Sequence, residues 1–95
     1  MSEGSPKLTV TLIRRFLATA YKLGDPRYAG GVIRMEEVGR EIGVHDRDLL
    51  EKITRILIVS GDLRSVRETN EPGIMFRVTR QGREKVQRWR HEGQV

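Results

Sequence analysis

His45 and His91 are the only imidazoles in the chain, and there is no cysteine. That removes thiol nucleophiles, disulfides and cysteine-ligated zinc or iron–sulfur centres. His45 with nearby Asp48 puts two ligands on one turn, a poor metal site without further histidine. Glu36 and Glu37 do not make a working acid–base pair, because adjacent residues on a helix point apart. Gly30-Gly31 lacks the following Lys-Ser/Thr of a phosphate-cradling loop, and no G-x-G-x-x-G occurs. No catalytic constellation, cofactor, metal site or small-molecule ligand is therefore expected, and the chain does not read as an enzyme.

What remains is cationic chemistry. Eighteen basic residues against thirteen acidic ones give a net charge of +5, and fourteen of the basic residues are arginine. A basic small domain points to a polyanion, most often nucleic acid; the plainer alternative is a solvated surface. The charge is unevenly placed: residues 1–45 carry +2, residues 46–60 carry none net, and residues 61–95 carry +3. Aromatic content of 5% argues against a platform for stacking single-stranded bases.

Ninety-five residues make one domain, with 37% hydrophobic and 33% charged residues as in a soluble globule. The longest apolar run is Ile56-Leu57-Ile58-Val59, too short to span a bilayer. The N-terminus lacks a secretory pattern, so a cytoplasmic protein is expected. Residues 1–7 and 92–95 are expected to be flexible ends around a domain at 8–91. Leu12, Ile13, Phe16, Leu17, Ala20 and Tyr21 recur on one face of a helix over 8–23. Its start is either Ser5-Pro6 or nearer Thr9. A minimal strand at Val32-Ile33-Arg34 leads into a short helix over 35–42, broken by Gly43-Val44-His45. A third helix runs from about Asp46 to Ser60, capped by Asp46 or Asp48, with Asp48-x-x-Glu51 at capping-box spacing. Its expected buried stripe is Leu49, Leu50, Ile53, Ile56 and Leu57. Strand patterns at 62–68 and 74–79 flank the turn chemistry of Thr69-Asn70-Glu71-Pro72-Gly73 and read as a β-hairpin. Thr79 caps a last helix to about His91, with Val86 and Trp89 as its apolar contacts.

In that order, the elements resemble the winged helix-turn-helix domains of bacterial and archaeal transcriptional regulators. Four segments carry the likeness over roughly Leu8 to Arg90. Val32-Ile33-Arg34-Met35-Glu36-Glu37-Val38 resembles the short strand feeding the second helix, and Glu41-Ile42-Gly43-Val44 the turn. Leu57-x-x-x-Gly61-x-Leu63 resembles the exit from the recognition helix, and Val78-Thr79-x-x-Gly82 the strand-to-helix junction. The resemblance implies an α+β, mostly helical fold with a three-helix core, a β-hairpin wing and a C-terminal helix.

It further implies a sequence-specific binder of double-stranded DNA, a transcriptional regulator acting as a homodimer. The helix over 46–60 would enter the major groove, presenting Arg47, Lys52 and Arg55 to base edges, with His45 on a phosphate. The competing reading is ordinary helix charge, with Glu51 and Arg55 as an i,i+4 pair. In the wing, Arg64, Arg67 and Arg77 would contact phosphates or the minor groove; the competing reading is edge-strand protection. Arg34 and Arg40 are secondary candidates for backbone contact. Ile58 shares a side with Glu51 and Arg55, so a fold-over of the wing, an earlier helix end or a partner is needed to cover it. Trp89 packs on the first helix or makes a dimer contact. The rival function is a winged-helix protein–protein module of a replication, segregation or transcription assembly.

Overall fold

Thr9 starts the first helix: its Oγ1 accepts from the Leu12 amide at 3.0 Å. This computed structural model describes residues 7–24, 31–66 and 74–93. Helix α1, Val10–Leu23, buries Leu12, Phe16, Leu17 and Ala20. Ser5-Pro6 lies outside the described residues, as do the turn at 69–73, Arg67 and most of the expected flexible ends.

Strand β1, Ile33–Arg34, runs directly into α2, Met35–Ile42. Glu37 reaches back to accept from the Arg34 amide at 2.9 Å, which is half of a capping box; arginine has no acceptor to complete it. Gly43 then takes φ 79, the left-handed conformation that turns the chain out of α2. Asp46 caps α3, Arg47–Val59, accepting from the Leu49 amide at 3.2 Å. Asp48 is therefore inside the helix, and the capping-box spacing with Glu51 is not used as a cap.

The buried stripe of α3 is Leu49, Leu50, Ile53, Thr54 and Leu57. Ile56, expected within it, sits at its edge and is 39% exposed. Thr54 takes the interior position instead, its hydroxyl donating to the Leu50 carbonyl at 2.8 Å. Such back-bonding satisfies a buried hydroxyl without a tertiary partner. Ile58 is half-buried against the core, so neither an early helix end nor a partner is needed to cover it.

Strands β2, Leu63–Val66, and β3, Met75–Val78, form the described part of the hairpin. β1 pairs with the other edge of β3, giving an antiparallel sheet in the order β1-β3-β2. Ile33 and Ser65 both register with Phe76, and Leu63 registers with Val78. This sheet face meets the helices, and the Phe16 and Phe76 rings lie 5.9 Å apart at its centre. Thr79 caps α4, Arg80–His91, accepting from the Gly82 amide at 3.0 Å. Among the described residues no helix is long and apolar enough to cross a membrane.

Trp89 packs back on α1, where the Arg14 guanidinium lies 5.3 Å from its ring centroid. Tyr21 of α1 likewise meets Arg90 at 5.1 Å and accepts from Gln87 at 3.1 Å. Of the two readings of Trp89, the first is the one the fold adopts.

Candidate nucleic-acid interface

Side chains alternate across a strand, so one face of the sheet is core and the other faces outward. On the outward face Arg64 of β2 registers with Arg77 of β3, and Arg34 of β1 registers with Met75. Arg34 is thus a diagonal neighbour of Arg77 across the sheet. Like charges set opposite each other on adjacent strands destabilise a pair. Arg64 lies on an edge strand, where protection against edge pairing is a sufficient reason for a charge. Arg77 lies on β3, the central strand, just past the two residues, Met75 and Phe76, that β1 pairs with.

Arg34 continues this basic surface towards α3. It lines one shallow depression with Arg40 and Arg47, among Glu36 and Glu37. Arg47, the first residue of α3, already has carboxylate neighbours: Glu36 at 3.6 Å and Glu51, one turn on, at 3.8 Å. Glu51 therefore pairs with Arg47 rather than with Arg55. Lys52 and Arg55 are exposed further along α3 and have no ion-pair partner among the described residues. His45 is exposed on the turn, immediately before the Asp46 cap.

The structure therefore brings Arg64 and Arg77 together, and brings Arg34 and Arg40 close to Arg47. It sets Lys52 and Arg55 apart on the outer face of α3, and Arg67 lies outside the described residues. Arg34 was only a secondary candidate from sequence, because its place beside Arg77 depends on a pairing between segments some forty residues apart.

A second residue escaped the sequence reading altogether. Asp62, at the root of the hairpin, is 1% exposed. Its carboxylate accepts from Lys85 Nζ at 2.8 Å, Ser60 Oγ at 2.8 Å and Gln81 Nε2 at 2.9 Å. Its amide donates to the Leu57 carbonyl at 2.9 Å, and its own carbonyl accepts from the Thr79 amide at 3.0 Å. Burial opposes ionisation here, but the hydrogen bonds from Lys85, Gln81 and Ser60 and the Lys85 charge outweigh it. The carboxyl is held below its ordinary value of 3.8. A Cβ on Gly82 would collide with the Asp62 carbonyl, so this position must be glycine for α4 to lie this close. One residue thus fixes the end of α3, the start of the wing and the start of α4.

This arrangement is similar to that of a solved structure, the transcriptional repressor BigR from Xylella fastidiosa. The match has 21% identity, covers 85% of this chain and 71% of that chain, and has a TM-score of 0.54. No family model matches the chain. No curated protein matches it either. The likeness is one of fold: three core helices, a β-hairpin and a closing helix make this a winged helix-turn-helix.

Proposed function

We propose that this protein is a non-enzymatic, sequence-specific binder of double-stranded DNA that regulates transcription in the cytoplasm. The observation that carries the reading is Arg64 set against Arg77 on the outward face of the sheet, with Arg34 beside them. A phosphate placed there can accept from arginines of adjacent strands at once. In this mechanism the wing arginines, Arg67 included, and His45 hold the DNA backbone. α3 enters the major groove with Arg47, Lys52 and Arg55 towards base edges. Backbone contacts set affinity and register; contacts from α3 set sequence preference. That a repressor shares the fold supports the regulatory part of the reading. A short reading helix covers only a half-site, so a homodimer on a two-fold site is the expected stoichiometry.

A labelled random duplex titrated at two salt concentrations tests this. Binding should weaken steeply with salt, and replacing Arg64, Arg67 and Arg77 by Glu should flatten the dependence. Absence of binding at low salt by a folded sample would overturn the reading. Sizing of the free protein tests the dimer. A protein–protein module is the second reading, favoured by Val59, 87% exposed, and Ile56, 39% exposed, on α3. It predicts no salt-dependent duplex binding.

A further inference from the structure

The groove bounded by α1, the C-terminal end of α3 and α4 lies on a different set of residues from those proposed to hold DNA. Val10, Ile13, Leu57 and Trp89 supply its apolar lining; Arg14, Lys85 and Arg88 supply three cations. Its volume of about 400 Å³ falls within the roughly 300–1,000 Å³ typical of small-molecule sites. Asp62 also reaches the groove, but both of its oxygens already accept hydrogen bonds, one of them from Lys85. Its charge is therefore answered within the fold by Lys85.

The three cations differ in what they already do. Arg14 lies over the Trp89 ring. Lys85 gives one of its three protons to Asp62, with its side chain 34% exposed. The Arg88 side chain has no hydrogen-bond or ion-pair partner among the described residues. An arginine offers five donors in a planar fork that matches a carboxylate. Apolar lining on one side and solvent-facing cationic donors on the other define an occupant with both characters.

We propose that this groove binds a small organic acid, one carboxylate on an aromatic or aliphatic body. The carboxylate meets Arg88 and the remaining donors of Lys85, and the apolar body lies against Val10, Ile13, Leu57 and Trp89. A second copy of the chain is a poor occupant, since the same face would meet its own positive charge. The site adjoins the Lys85–Asp62 pair at the root of the wing, so an occupant competes there for Lys85. Any consequence for DNA rests on the function proposed above; binding of the acid does not.

Trp89 is the only tryptophan in the chain, so its fluorescence reports the groove directly, without DNA. The probes are phenylacetate and octanoate, each set against its neutral amide. Both acids should change the emission saturably. Each amide should bind about tenfold more weakly, as expected for loss of a charge-assisted hydrogen bond. Arg88→Gln, at an exposed helix position, should weaken the acids about tenfold and leave the amides unchanged. A matching far-ultraviolet dichroism spectrum confirms that the variant is folded. The proposal fails if neither acid gives a saturable change, if acid and amide bind alike, or if folded Arg88→Gln binds the acids as the parent does.

Discussion

On α3, Arg47 stands between Glu36 and Glu51; on the sheet, Arg64 stands opposite another arginine. The first arrangement closes the field of the cation on neighbouring carboxylates, within 4 Å, at a gain of only about 0–1 kcal/mol for exposed pairs. The second sets two cations in register on the outward face of the sheet. Composition already separates them: α3 with its cap carries three acidic and three basic residues, whereas the three strands carry three arginines and no acid. In the function proposed above, the sheet face holds the DNA backbone, and α3 offers Lys52 and Arg55, which have no ion-pair partner among the described residues. That function divides anchoring and reading between two elements, which the hydrogen bonds of Asp62 tie together.

Removing that joint should have the largest effect. Asp62→Ala leaves Lys85, Gln81 and Ser60 without their acceptor, and denaturant unfolding should show a loss of about 3 kcal/mol. This is near the low end for a broken buried pair, since Lys85 stays a third exposed. The same residue gives a pH signature. Because its folded pKa lies below 3.8, its ionisation stabilises the fold fully above that pH. The contribution is lost as pH falls through the lower folded value. Asp62→Asn should lack that part of the acid decline. Next, Gly82→Ala should destabilise by about 2 kcal/mol, because its Cβ forces α4 off the Asp62 carbonyl.

Changes on the two surfaces should separate in kind as well as in size. Lys52→Gln or Arg55→Gln should each cost about 1.5 kcal/mol at a selected site, with altered base preference and little change on random duplex. A competition assay between selected and random duplex reads this difference. Arg64→Glu should do the reverse, weakening all duplexes alike. It should also stabilise the hairpin by about 0.5 kcal/mol, because a like-charge pair becomes an opposite one. A variant that folds better and binds worse would distinguish a binding surface from a structural one.

Local signals were legible in the sequence. Thr79 as a cap, Gly43 as the turn and the approximate span of each helix follow from side-chain hydrogen bonding and apolar period over a few residues, whereas the start of α1 stayed open between Ser5-Pro6 and Thr9, the cap the fold uses. The hairpin was legible for the same reason. Position within α3 was less so: Ile56 and Ile58 differ in burial because of where neighbouring elements close over the helix, not because of their chemistry. The addition of β1 to the far edge of β3 joins distant segments, so the approach of Arg34 to Arg77 was hidden. Asp62 was hidden too, since an acid in a basic segment reads as a charge to subtract. Its partners Gln81 and Lys85 come from another helix, and only the fold makes it the joint between α3, wing and α4.

The most direct test of the division between anchoring and reading is the salt dependence of random-duplex binding in two variants. The slope of log K against log salt should fall by about 1 in Arg64→Glu, the loss of roughly one phosphate contact, and stay at the parent value in Lys52→Gln/Arg55→Gln. A slope unchanged by Arg64→Glu, or one lowered only by the α3 variant, would contradict the account.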